Sequence, residues 1–395
     1  MTTERVRLTF SSEDRVMGVL LLTVVAALFS AGLGWSPTLQ FFLSVLAVIP
    51  LAAFIGAATE ALADRLGGRI GGLLNATFGN APDLLVGVFG VQKGLIPLVK
   101  ATLIGGLISN SALIMGLCFM VAGLRFHKPR FDREEAGHHS VLILLTVAAV
   151  LFPSVGAIDL CGSTHCASVA SSDTILHISI GISVALLIAY ASYIAYGIFG
   201  LESLAHGTKE GRDARRLKQQ AEAPGPATWP AWFAVLVLSL ATLALIPVTD
   251  ILTGSVDPVT HVLGWTQVFV GIIIVANAGN VAEGYAAIRL AYQRGGNSPD
   301  DQDSGLDLAL GIASASSIQI ATFVAPVVVL YSLTAHHMNL VFSPVEIAIL
   351  ALLALIFAYI AHDGETNWLE GIQLLVLYAM AAVVFYALPV SVFGG

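Results

Sequence analysis

Two short stretches carry residues able to do chemistry: Gly79-Asn80-Ala81-Pro82-Asp83 and Gly279-Asn280-Val281-Ala282-Glu283, each inside an apolar run. In both, a carboxylate follows an asparagine by three residues, a spacing that puts the two side chains on one helix face. An ionisable residue in a membrane-spanning run is costly, and so marks function before architecture. Pro82 has no N–H, so the carbonyl of Phe78 loses its usual helical donor, and Gly79 and Gly279 make local unwinding cheap. Freed carbonyls are tolerated at membrane depth where they line a cavity or meet an ion. Carboxylate, amide and carbonyl oxygens together form a hard donor set with two negative charges. Calcium, which takes roughly six to eight oxygens in flexible geometry, suits that set better than magnesium with its tight octahedron. Neither pentad contains Cys or His, which argues against a soft metal.

Two desolvated carboxylates brought close together resist joint ionisation. The pair is neutralised by protons or by one divalent cation, but not by both at once. Competition of this kind is what exchange of a cation against protons requires. Further polar residues interrupt the runs that follow each pentad: Ser109, Asn110 and Ser111 after the first, and Ser314, Ser316, Ser317 and Gln319 after the second. Asn110 and Gln319 are bulky and costly to bury and are assigned to the site, and Ser316 shares a face with Gln319. Small hydroxyl residues equally let helices approach closely. Glu60, Asp250, Asp307 and Glu346 fall near expected helix ends, where water or a helix terminus solvates them. His177 and the tryptophans Trp229, Trp232 and Trp265 read as interfacial residues.

The elements that must position these residues are membrane helices. The 395-residue chain is 56% hydrophobic and 11% charged, with a net charge of -8 and a mean hydropathy of +0.85. Too few charges exist to coat a soluble globule of this size. The Lys and Arg residues form no stripe, so nucleic acid is excluded as a partner and the lipid bilayer is expected instead. Residues 1 to 15 carry both signs of charge and lack a small-residue cleavage site, so no removable signal peptide is read. Crossing the hydrocarbon core takes about 20 apolar residues. Eleven runs fit: 16–34, 38–59, 70–92, 98–122, 138–157, 174–199, 231–250, 265–290, 306–331, 344–361 and 367–388. With the N-terminus cytoplasmic, sixteen of the eighteen Lys and Arg residues fall inside, and only Lys93 and Lys100 fall outside.

The expected organisation is a cytoplasmic segment 1–15, an extra helix 16–37, five helices in 38–199, a polar cytoplasmic connector 200–230 and five helices in 231–395. The pentads lie in the second helix of each five-helix half. An odd number of crossings separates them, so the halves form an inverted-topology repeat. Cys118 reads as a small packing residue. Cys161 and Cys166 share a loop in which a bridge would form if it faces an oxidising compartment.

The two pentads, with Leu107-Ile108-Ser109-Asn110-Ser111, with residues 316–326 (Ser-Ser-Ile-Gln-Ile-Ala-Thr-Phe-Val-Ala-Pro) and with 363–371 (Asp-Gly-Glu-Thr-Asn-Trp-Leu-Glu-Gly), make the chain resemble the cation/proton exchangers of the calcium/cation antiporter superfamily from about residue 38 onward. The resemblance implies one extra helix plus two inverted five-helix halves, exchanging cytoplasmic Ca2+ for H+. It implies Asp83 and Glu283 as central ligands and proton acceptors, helped by Asn80, Asn280, Ser316 and Gln319, with Asn110 and Ser109 as counterparts from the other half. Ca2+ is then cargo, no cofactor is implied, and a trimer is common among such proteins. The chain departs from the family pattern in three places: Asp83 stands where Glu is usual, Gly284 stands where His usually follows the second motif, and the connector is more basic than acidic over 209–218. Sodium-coupled exchange in the same architecture is the nearest alternative. An intramembrane hydrolase lacks a nucleophile paired with a base, and a passive channel is at odds with a tightly charged site. The compact chain and short loops point to a bacterial inner membrane.

Overall fold

The structure is a computed structural model and describes residues 12–66, 74, 77–161, 173–199, 229–293 and 305–387. Cys166 and most of the connector, and with them the Cys161–Cys166 bridge and the connector's role, lie outside the described residues. Eleven helices account for nearly all of the described chain. They are α1 (Ser12–Gly32), α2 (Pro37–Leu66), α3 (Ala81–Gln92), α4 (Ile96–Phe126), α5 (Arg133–Cys161), α6 (Asp173–Phe199), α7 (Ala231–Leu263, interrupted at Ser255), α8 (Gln267–Tyr292), α9 (Leu306–Ser332), α10 (Pro344–Asp363) and α11 (Trp368–Ala387). Among the described residues there is no strand, only an isolated bridge between Arg130 and Glu365.

Seven of these helices are long and apolar enough to cross a membrane; the others contribute shorter apolar stretches, Gly18–Gly32, Ala81–Gln92, Ile143–Ala157 and Pro344–Ile360. The protein is an integral, multi-pass membrane protein. Local signals fix where helices begin and end. Ser343 and Glu346 form a reciprocal capping box at the start of α10, and Gly264 and Gly364 end α7 and α10 in the left-handed conformation. Several helices overrun the apolar core. The expected second span stops at 59, but α2 reaches Leu66, because helix-forming residues continue past the hydrophobic run.

Three helices contain a π turn: Ser109–Ile114 in α4, Val270–Val275 in α8 and Ile320–Val324 in α9. Such turns interrupt the regular hydrogen-bond ladder and gather at functional sites. The packing is reciprocal. Helix α2 lies against α7 and α5 against α10, while α11 packs on the second half of α4 as α6 packs on the second half of α9. Helix α1 stands outside this exchange and rests on α2 and α7.

Side-chain and backbone bonds tie the helix ends. Arg65 Nε donates to the Trp229 carbonyl at 2.8 Å. The 129–131 and 364–366 segments pair through Phe131 N to Gly364 O and Thr366 N to Pro129 O, both 3.1 Å. Lys93 forms an ion pair with Asp250 at 2.7 Å. Lys100 is buried rather than projecting into a loop, its ammonium bound to Asn339 Oδ1 at 2.8 Å and to the Val341 carbonyl at 2.9 Å. The 363–371 motif thereby proves architectural. Thr366 Oγ1 and Asn367 Nδ2 donate to the two oxygens of Glu370, and Asn367 Oδ1 caps α11 by accepting from Leu369 N and Glu370 N.

The α4–α11 crossing is the tightest test of this packing, because a Cβ on Gly123 would meet the backbone at Trp368, with Asn367 C at 2.7 Å and Trp368 Cα at 2.8 Å. Backbone cannot move aside as a side chain can. Gly123→Ala is expected to destabilise the protein by about 1–3 kcal/mol, read as a lower melting temperature in detergent.

Candidate cation site

Helix α3 begins at the first pentad for a local reason. Gly79 and Asn80 form a turn, Asn80 is the N-cap residue (φ -94°, ψ 17°), and Pro82 sits in the first turn, where its missing N–H costs nothing. The first true helical bond runs from Leu84 N to Asn80 O at 3.0 Å. The second pentad behaves differently. Ala276–Tyr292 is continuous helix through Gly279 and Asn280, and the irregularity lies upstream in the π turn Val270–Val275. Glycine alone did not unwind α8; Ala282, where the first pentad has Pro82, leaves the ladder intact.

Tertiary packing brings the two carboxylates together. Asp83 is 4% exposed, and Glu283 of α8 lies within electrostatic reach of it. The approach depends on Gly279, since a Cβ there would stand 3.3 Å from Asp83 Oδ1 and 3.6 Å from Pro82 Cβ. The Ser316 hydroxyl of α9 faces the Glu283 carboxylate, whose Oε2 is buried without a hydrogen-bond partner. Asn80 Nδ2 donates to Gln319 Oε1, which joins the first pentad to α9. Gln92 Nε2 donates to Tyr331 Oη at 2.5 Å further along the same two helices, so α3 and α9 run parallel.

Of the remaining expected residues, Asn280 and Asn110 are buried, and Asn280 Nδ2 and both polar atoms of the Asn110 amide have no protein partner. Buried polar groups are almost always paired, so these atoms are available to something other than protein. Ser109 is placed otherwise: its hydroxyl donates to Asn277 Oδ1 at 2.7 Å. Ser111 and Ser317 line a small cavity with Thr146 and Leu350, beside α5 and α10. Among the described residues no group of three or more His, Cys, Asp and Glu gathers in one place. The charge of the site is therefore carried by two carboxylates, and its other oxygens are neutral.

Sequence reasoning missed Asn277 and Tyr378. Asn277 precedes Asn280 by three residues, the same spacing that linked Asn280 to Glu283, and could have been found by extending that face one turn back. Tyr378, one of two tyrosines in an apolar helix, carried no signal.

An eleven-helix membrane bundle with two facing carboxylates narrows the protein to one class, and comparison with known proteins specifies it. The sequence signature of the sodium/calcium exchanger protein family matches residues 36–199 and 233–387, and the chain belongs to that family. It is 34% identical to a Ca2+/H+ antiporter of Synechocystis sp. over 97% of this chain and 100% of that protein. It is 33% identical to the Ca2+/H+ antiporter ChaA of Bacillus subtilis over 90% and 93%. The solved structure of YfkE superposes with a TM-score of 0.75 at 31% identity, covering 94% of this chain and 100% of that one. The H+/Ca2+ exchanger CAX shares the fold, with a TM-score of 0.66 at 13% identity, covering 95% and 92%.

The Asn80–Gln319 pair gives this site a structural test. Gln319→Leu leaves Asn80 Nδ2 buried without an acceptor, and a loss of about 1–3 kcal/mol of stability is expected, measured by thermal melting of the purified protein.

Proposed function

We propose that this chain exchanges Ca2+ for H+ across a membrane by alternating access, with Asp83 and Glu283 as the binding site shared by cation and protons. The observation that carries the reading is the meeting of these two carboxylates from α3 and α8, with Ser316 at Glu283; the buried, unpartnered amide atoms of Asn110 and Asn280 support it. Two negative charges match one divalent cation or the protons that replace it. Full-length relatives named Ca2+/H+ antiporters support the same exchange.

The inverted repeat explains how one site serves two sides. Helices α3 and α9 run parallel. Helix α8 turns back into α9 through a bond from Gly305 N to Gln293 O at 2.9 Å. Together these contacts support opposite directions for α3 and α8, and the reciprocal pairing of α2 with α7 and α5 with α10 supports two equivalent five-helix halves. Rocking one half against the other then exposes the site to alternate sides. A cytoplasmic N-terminus follows from the Lys and Arg bias, and a bacterial inner membrane is the proposed location. Asn80, Asn280, Gln319, Ser316, Asn110 and Ser109 complete the cation's oxygen shell in this reading.

Reconstituted in liposomes under an imposed proton gradient, the protein is expected to drive calcium flux without sodium, and Asp83→Asn or Glu283→Gln to abolish it. Flux that depends on sodium would assign the chain to sodium-coupled exchange, and normal flux in both variants would overturn the site. Protons compete with Ca2+ for the same carboxylates, so the apparent affinity for Ca2+ falls as pH falls, by up to about tenfold per pH unit for each proton displaced. Initial rates against Ca2+ concentration at several pH values measure it.

A further inference from the structure

One amide on α8, that of Asn277 one turn before the second pentad's Asn280, is engaged at both ends. Asn277 Oδ1 accepts from Ser109 Oγ at 2.7 Å, while Asn277 Nδ2 donates to the Ile273 carbonyl at 2.7 Å and to Tyr378 Oη at 2.6 Å. A carbonyl can only accept, so the Ile273 contact identifies Nδ2 and leaves Oδ1 turned to Ser109. The Ser109 hydroxyl must then donate its single proton to Asn277. What remains on Ser109 is an oxygen with lone pairs and nothing left to donate.

The geometry draws on three helices. Ile273 lies inside the π turn Val270–Val275 of α8, and Ser109 is the first residue of the π turn Ser109–Ile114 of α4. Tyr378 arrives from α11, which carries neither pentad. Ser109 is fully buried and adjoins Asn110, whose amide has no protein partner. Asn277 stands one turn before Asn280, and the Asn280 amide in turn packs against α4, since a Cβ on Gly106 would lie 3.6 Å from Asn280 Nδ2. The Ser109 oxygen is thus held where α4 passes the second pentad.

We infer that Asn277 is a positioning residue of the cation site: it takes the Ser109 proton, so that Ser109 presents an acceptor-only oxygen to Ca2+, and it ties Ser109 of the α4 π turn to the Ile273 carbonyl of the α8 π turn, with Tyr378 of α11 holding its amide. The inference rests on the calcium reading of the Asp83–Glu283 site. It adds to that reading a residue acting through a ligand rather than as one, and a reason for the two π turns to lie side by side. A hydroxyl free to rotate would point its hydrogen at a cation for part of the time; one whose proton is committed does not.

Equilibrium binding of radioactive calcium to the purified full-length protein tests this in wild type, Ser109→Ala, Asn277→Leu, the double variant and Asp83→Asn. Each of Ser109→Ala and Asn277→Leu is expected to weaken calcium binding about tenfold, and the double variant no more than either alone. Losses that multiply in the double variant, or wild-type binding in Asn277→Leu, overturn the role of Asn277. Should thermal melting show Asn277→Leu unfolded, Asn277→Ser, too short to reach Ser109, gives the same reading. The two levels separate cleanly. Binding lost in Asp83→Asn and Ser109→Ala but intact in Asn277→Leu removes only this inference, whereas no calcium binding in the wild type brings down the calcium reading and this inference with it.

Discussion

Two carboxylates facing one another inside a bundle of apolar helices is the constraint on which the rest of the structure depends. Among the described residues no basic side chain pairs with Asp83 or Glu283; the buried ammonium of Lys100 is bound to Asn339 and Val341. Charges taken out of water must be compensated, and here the compensation comes from neutral oxygens, from mobile cations or from protons. Much of the local architecture follows. Gly279 lets Asp83 approach the backbone of α8, and Gln319 satisfies the Asn80 amide. Side chains at the site are buried yet incompletely paired, which suits a site that must release what it binds.

The two pentads reach this arrangement by unlike routes. In α3 the chain breaks at Gly79-Asn80, and Pro82 starts a new helix. In α8 the helix runs through the pentad and the irregularity moves upstream into a π turn. The carboxylates differ as well, since Asp83 is one methylene shorter than Glu283. Asp83 thus stands at a broken helix start and Glu283 within a continuous helix. Asn277 anchors the continuous side to α4 and α11.

Away from the site, polar residues in the membrane-spanning region serve as ties between helices. Lys93 and Lys100, the two basic residues set apart by the charge bias, join helix ends and connecting segments at Asp250, Asn339 and Val341. The 363–371 motif, conspicuous for its acids, is a pair of caps and a loop clasp around Glu370. Ser154 and Ser179 receive the backbone N–H groups of Phe342 and Leu340 and pin the segment before α10. Among the described residues, most buried polar atoms without a protein partner lie on α4, α8 and α9, at Asn110, Gln267, Asn280, Glu283, Ser314 and Ser316, with others at Ser44 and Thr249.

The sequence by itself determined that the chain is an all-helical membrane protein, because apolar runs of spanning length are local properties that no packing can hide. It singled out the two pentads by an acid within such a run, and three-residue spacing, a property of one helix, set Asn80 with Asp83 and Asn280 with Glu283. What only the tertiary structure decided is who faces whom. Ser109 turns to Asn277 instead of standing free, Asn80 pairs with Gln319 of α9, and Ser111 and Ser317 line a small cavity that their neighbours Asn110 and Ser316 do not. Contacts between residues more than 160 positions apart are set by helix crossings, and crossings depend on glycines and π turns whose effects appear only once two helices meet. Tyr378 is the clearest case: nothing in its own helix distinguishes it, and its role exists only because α11 passes the π turn of α8.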